Sequence, residues 1–174
     1  MCIGTLPIYS LNARLEVIEA EKSMRPTPTI DLHLLLMREH QILLLLRSGT
    51  GFEDGKYSVV AGHLEVNESL SRGLCREAYE EVGVEIAEQD LSLVHVMHNR
   101  SGNDRLAFFF SCKRWRGTAS NREPEKCAGL RWATYAQAAL IDNQVGYIRA
   151  ALSHIENSVL YSSYGDWDVH STGQ

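Results

Sequence analysis

Two short apolar runs dominate the hydrophobic pattern, IDLHLLLM at 30–37 and QILLLLR at 41–47, separated by Arg38, Glu39 and His40. Their length and polar boundaries predict two buried strands joined as a hairpin. A loop at 48–56 follows, with three glycines and with Phe52, Glu53 and Asp54, and it predicts a flexible rim to a pocket. After a strand at 57–61, Leu70, Leu74, Ala78 and Val82 recur at every fourth position, the core-facing stripe of a helix. Asn67 to Ser69 supply polar caps for its start, and Gly83 ends it by taking the left-handed conformation without a Cβ penalty.

Alternation resumes at 91–98 and again at 106–112, the latter entered through the turn Ser101-Gly102-Asn103-Asp104. A short strand at Leu130-Arg131-Trp132 follows the acidic loop Glu123-Pro124-Glu125-Lys126. Two helices are then expected at 134–139 and 144–156, the second with Val145, Ile148, Leu152 and Ile155 on one face. Strands on both sides of one helix, with further helices later, predict a mixed α/β fold in which a sheet is sandwiched by helices.

The two ends differ in character. Residues 1–24 read as an N-terminal extension in which Ser10 caps a helix with Leu11, Leu15 and Ile18 on one face, broken at Arg25-Pro26-Thr27-Pro28. Met24 is a candidate natural start. Residues 25–160 form the expected domain, and 161–174, polar and aromatic without periodicity, read as a docked or frayed tail.

Composition narrows the class of protein. At 174 residues, with 44% hydrophobic and 22% charged positions, the chain is ordinary for one soluble domain. Its apolar runs are too short for a membrane span, and a formal charge of −5 argues against a dedicated nucleic-acid binder. Lys113, Arg114 and Arg116 around Trp115 read as a solvated strand end. Cys2, Cys75, Cys112 and Cys127 lack metal-binding spacing and point to a reducing, cytoplasmic location. The histidines form no HxxxH or HExxH pattern, and His95 and His98 read as structural or solvated.

The chemistry concentrates in 62–84, GHLEVNESLSRGLCREAYEEVGV. On the helix expected there, Glu77, Glu80 and Glu81 fall at i, i+3 and i+4, so three carboxylates share a face. A hard divalent cation relieves their repulsion, and oxygen-only ligands suit Mg²⁺ or Mn²⁺. Gly62, Glu68, Arg76, Glu77, Glu80, Glu81 and Gly83, with Ala78 and Val84 at aliphatic positions, fit the pattern G-x5-E-x7-R-E-U-x-E-E-x-G-U. A chance match in one window is about one in 10⁸, so coincidence is set aside. This stretch resembles the Nudix box.

The resemblance implies an α/β/α Nudix sandwich with a mixed sheet. It further implies metal-dependent hydrolysis of the pyrophosphate linkage in a nucleoside diphosphate derivative. The small-molecule substrate favoured here is a nucleoside triphosphate or modified nucleotide. Glu77, Glu80, Glu81 and the backbone carbonyl of Ala61 are then the expected ligands of Mg²⁺ or Mn²⁺, while Glu68 holds a ligand or the loop itself. Arg76, four residues before Glu80, is placed to hold that carboxylate. Glu80 or Glu81 could serve as general base, and so could Glu125 or Glu123 in the later loop. Arg47 is a candidate phosphate clamp, and Phe52, Tyr57 or Trp132 could stack on a base. Between 85 and 107 there is neither the proline of members acting on ADP-ribose nor the tyrosine of those acting on dinucleoside polyphosphates. Of the upstream signature of coenzyme A-specific members, only Leu44, Arg47 and Ser48 remain. A homodimer stays open, as do two other functions: a non-catalytic nucleotide sensor, and an isopentenyl diphosphate isomerase, which would require Cys112 or Cys127 in the pocket.

Overall fold

A computed structural model describes residues 27–166; the helix expected near Ser10 lies outside them. In chain order the elements are β1 (Thr29–Arg38), β2 (Gln41–Arg47), β3 (Tyr57–Ser58), β4 (Val60–His63) and α1 (Leu70–Val82). A 3-10 turn (Glu88–Asp90) leads to β5 (Leu91–Arg100), β6 (Arg105–Cys112), β7 (Cys127–Thr134), α2 (Tyr135–Ala139), α3 (Gly146–Glu156) and β8 (Tyr161–Gly165). The strands join in the order β3-β2-β1-β6-β5-β8, with β4 also paired to β1 and β7 to β2. Because β1 runs parallel to β6, and β5 parallel to β8, the sheet is mixed as expected.

The first two strands do form a hairpin, but only at Met37↔Ile42 and Arg38↔Gln41. Beyond that they part. β1 pairs along Asp31 to Leu34 with β4 and along its length with β6, whereas β2 pairs with β7 and β3. The sequence permits this because both runs are apolar on both faces, so each strand can be covered from two sides. Leu32, Leu34 and Leu36 point to a core shared with Leu74, Ala78 and Val82 of α1. Leu35 points the other way, into a core with Phe109, Met97 and Ile148, Ala151 and Leu152 of α3. Helices therefore cover both faces, the α/β/α arrangement.

Helix α1 obeys its local signals. Ser69 accepts from the Arg72 N–H, and Gly83, at φ 69°, donates its N–H to Tyr79 at 3.0 Å, while Val84 N–H reaches back to Ala78 at 3.3 Å. Some boundaries differ from expectation. The strand expected at 57–61 is two strands broken at Val59, and the second continues through His63. Thr134 and Gln144 precede their helices; Thr134 caps α2 through a capping box with Gln137. Residues 161–165, read as part of a tail, form the outer strand β8, pinned where His95 Nδ1 meets Val159 O at 2.8 Å and Nε2 meets Ser162 Oγ at 2.9 Å.

His33 on β1 is an unusual core residue. Its ring stacks on Phe109 at 4.5 Å and tilts against Tyr147 at 5.6 Å, and neither ring nitrogen has a hydrogen-bond partner among the described residues. Burial pushes its pKa from 6.5 down to about 4. The folded state thus binds fewer protons than the unfolded one between these values, so His33 removes stability as pH falls from 6.5 to 4. His33→Leu is expected to abolish this loss, roughly 3 kcal/mol at most, in urea unfolding across that range. Parallel pH curves for the two proteins would contradict the assignment.

Candidate active site

The site is assembled around one guanidinium. Arg76 on α1 donates from Nε and Nη2 to the two oxygens of Glu68, at 3.2 and 2.8 Å. Its Nη1 reaches Glu77 Oε1 at 2.6 Å and Glu80 Oε2 at 3.2 Å, and Nη2 also reaches the His63 carbonyl at 3.1 Å. One planar fork thereby ties the helix to the loop that precedes it. Glu68 also accepts the Glu65 N–H at 2.8 Å, and it lies outside the cavity, so here it braces the loop.

Gly62 explains its own place in the pattern. A Cβ there would overlap the Glu77 carboxylate, so the helix can bring that group against β4 only over a glycine. Glu81 packs beside it, its Oε2 accepting the Ala61 N–H at 3.1 Å. Burial pushes the Glu81 carboxyl up to about 8, with Glu77 and Glu123 adding to the rise. Glu77 is also raised by burial, against the opposing pull of Arg76. Glu80 is exposed at the outer edge.

These groups open onto a cavity of about 400 Å³ lined by Ala61, Gly62, His63, Arg76, Glu77, Glu80 and Glu81 together with Arg47, Glu123 and Lys126. The segment carrying Glu123 is docked on the end of α1, where Ser120 N–H bonds Val82 O and Arg122 N–H bonds Glu81 O, each at 3.0 Å. Lys126 Nζ holds Glu123 Oε1 at 2.7 Å. Glu125 is exposed and outside the cavity; of the two loop acids, Glu123 is the one that reaches it.

The expected stacking residues are not part of the cavity wall. Phe52 is 59% exposed, with the Arg47 guanidinium 5.6 Å from its ring centre, and Tyr57 packs on the α3 side under Arg131. Trp132 stacks with Trp115 and carries Arg38. Arg47 does line the cavity, steadied by Nε to Phe52 O at 3.0 Å and Nη2 to Thr50 Oγ1 at 3.1 Å. Among the lining residues, His63, Lys126 and the wall residues Thr50, Ser58 and Glu65 were given no role from the sequence, and Cys127 was named only as a requirement of the isomerase reading. The first lies in an unspecified position of the box and the second beside the acidic pair, so proximity in sequence was the available signal. The Cys127 thiol donates to Gly129 O at 3.3 Å and is pushed up by burial, the environment of an inert thiol.

Among the described residues no three His, Cys, Asp or Glu side chains converge as a ready metal cage. Arg76 draws Glu77 and Glu80 to itself. The donor set nevertheless fits a hard divalent cation, because it offers carboxylate oxygens only, two of them raised by burial.

A mixed sheet covered on both faces thus presents a glycine-seated carboxylate helix to a polar cavity. Residues 27–152 match the NUDIX domain, and the chain belongs to the Nudix family. It is a Nudix pyrophosphohydrolase, in a family that generally uses divalent metal ions. Its fold is similar to that of the MutT NUDIX hydrolase from Burkholderia pseudomallei, with TM-score 0.66 and 23% identity over 73% of this chain and 97% of that one. It is also similar to the MutT protein from Methanosarcina mazei Go1, with TM-score 0.65 and 18% identity over 77% and 96%. An ADP compounds hydrolase gives TM-score 0.62 and 16% identity over 76% and 74%. No curated protein matches the chain. No helix among the described residues is long and apolar enough to cross a membrane.

The raised Glu81 has a measurable consequence. Its folded pKa lies above its unfolded value of 4.5, so stability is lost as pH rises from 4.5 to about 8. In metal-free protein, Glu81→Gln is expected to exceed the wild type at pH 8.5 by on the order of 2–4 kcal/mol, with no such gain near pH 4.5. Urea unfolding at the two pH values checks this; equal gains at both would contradict it.

Proposed function

We propose that the protein hydrolyses the pyrophosphate linkage of a nucleoside triphosphate or modified nucleotide with the help of Mg²⁺ or Mn²⁺. The observation that carries the reading is the meeting of opposite charges at one cavity. Glu77, Glu80, Glu81 and Glu123 face it beside Arg47 and Lys126. Such a surface suits a polyanion and a divalent cation bound together.

Glu77, Glu80, Glu81 and the Ala61 carbonyl would hold the cation. When bound, the cation neutralises charge on the phosphate oxygens and eases deprotonation of water. Arg47 and Lys126 bind phosphate oxygens of the substrate and orient the bridge. Water attacks one phosphorus as the bridging P–O bond breaks; the leaving phosphate takes the bond's electron pair. Glu123, which lines the cavity and is not among the cation's ligands, takes the proton of the water. Arg76 does not meet the reacting atoms in this scheme; it fixes Glu77 and Glu80 while Glu68 fixes it.

A turnover panel tests the reading: nucleoside triphosphates, oxidised nucleotides, nucleotide sugars, ADP-ribose and dinucleoside polyphosphates with Mg²⁺ or Mn²⁺. One triphosphate class is expected to be cleaved, and Glu80→Gln, an exposed change that spares the core, to lower kcat at least about 100-fold. Preference for another class would overturn the substrate assignment, and full activity of Glu80→Gln would overturn the role of that carboxylate.

A further inference from the structure

The loop at 48–56 closes around one carboxylate. Asp54 Oδ1 accepts the Thr50 N–H at 3.1 Å and the Thr50 hydroxyl at 2.7 Å, and Oδ2 accepts the Gly51 N–H at 3.0 Å. The Thr50 hydroxyl is the largest of the influences that hold the Asp54 carboxyl below its usual range. The ends of the loop are joined by Gly55 N–H to Arg47 O at 2.8 Å and Arg47 N–H to Lys56 O at 3.0 Å. Ser48 N–H reaches Lys126 O at 2.9 Å, and a Cβ on Gly49 would overlap the Glu125 carbonyl, so the loop is also seated on the segment that carries Glu123.

One hydroxyl connects this loop to the cavity. A threonine hydroxyl has one proton and two lone pairs. Two oxygens lie within reach of that proton, Asp54 Oδ1 at 2.7 Å and Phe52 O at 2.9 Å. The carboxylate is charged and nearer, and Phe52 O already accepts Arg47 Nε–H at 3.0 Å, so the proton goes to Asp54. Thr50 Oγ1 then turns a lone pair to Arg47 Nη2 at 3.1 Å. Nε and Nη2 form one edge of the guanidinium, and the loop holds both. The other edge, Nη1 with the second Nη2 proton, has no hydrogen-bond partner among the described residues. Arg47 and Thr50 both line the cavity, and the Arg47 charge is close enough to act on Glu81.

We propose that Thr50 and Asp54 are positioning residues for Arg47. Asp54 aims the Thr50 hydroxyl, and that hydroxyl, with the Phe52 carbonyl, turns the unengaged edge of the guanidinium toward the bound polyphosphate. The assignment rests on the triphosphate reading above. A loop held for its own sake needs only the backbone N–H groups on Asp54; the hydroxyl shared between Asp54 and Arg47 carries the loop's order to the guanidinium. With that hydroxyl gone, Phe52 O is the one hydrogen-bond anchor left to a long side chain with many rotamers.

The test reads whether Thr50 acts through Arg47. Inorganic tripolyphosphate, which carries no base, is titrated into the full chain at fixed Mg²⁺. Arg47→Met is expected to weaken binding about 30-fold and Thr50→Val about 5-fold, while Thr50→Ser restores wild-type binding. Asp54→Ala is expected to match Thr50→Val and to add nothing to it. Thr50→Val is likewise expected to add nothing in the Arg47→Met background. Nitrogen-15 relaxation of the Arg47 Nε–H, measured without ligand, is expected to show an ordered bond in the wild type and in Thr50→Ser, and a mobile one in Thr50→Val. Thr50 and Asp54 are exposed, so their variants spare the core. Additive losses in the double variants, an Arg47 Nε–H as ordered in Thr50→Val as in the wild type, or binding indifferent to Arg47→Met would each overturn the proposal. A wild type that cleaves no triphosphate would instead overturn the reading beneath it, because the order of Arg47 and the coupling between the variants are read without turnover.

Discussion

The Arg76 guanidinium is the constraint on which the site depends. It satisfies the Glu68 carboxylate, two carboxylates of its own helix and the His63 carbonyl at the end of β4. Side-chain exposures of 23% for Arg76, 14% for Glu68 and 12% for Glu77 place the pairing where water screens it only partly. Removing one partner of such a network leaves a half-buried charge behind, at a cost on the order of 2 kcal/mol, whereas an exposed pair would matter little. The larger consequence is positional. This fork ties residues 64–69 and the Glu77 side chain to each other and to the end of β4.

Packing and chemistry are coupled through β1 and β4. The alternation along β1 sends Leu32, Leu34 and Leu36 under α1 and sends Asp31, His33 and Leu35 to the other face. On β4, Gly62 opens room for Glu77 while its neighbours Ala61 and His63 look to the opposite side. A single strand pair thus carries the seat of the carboxylates on one face and, on the other, Asp31 held by the Arg105 guanidinium, which also reaches His63. The docking of 120–123 onto the end of α1 then delivers Glu123 to the same cavity.

What could be read from the sequence was local. The box residues, the α1 stripe and the stop at Gly83 depend on spacings of a few residues, and the structure places them as those spacings require. Long-range features escaped. Arg105 and Asp31 are 74 positions apart and meet only through a parallel pairing that no local pattern specifies. Strand β8 reads as a tail because an edge strand of Tyr, Ser and Gly buries no alternating apolar face; its pairing with β5 and the His95 contacts supply what its sequence does not. Phe52 and Tyr57 were drawn to the site by residue type, yet one is exposed beside Arg47 and the other is taken by the α3 core. Glu123 and Glu125 are equivalent in composition, and it is the docking of 120–123 on α1, with the Asn121 Nδ2 bond to Cys127 O at 2.6 Å, that goes with Glu123 facing inward.

We infer that the desolvated carboxylates of α1 bind a divalent cation. Calorimetric titration of Mg²⁺ into metal-free protein at pH 7, in two buffers of different ionisation enthalpy, tests it most directly. With the Glu81 carboxyl held up to about 8, binding should release close to one proton, and the release should vanish in Glu81→Gln. Binding without proton release, or release unchanged in Glu81→Gln, would contradict the account.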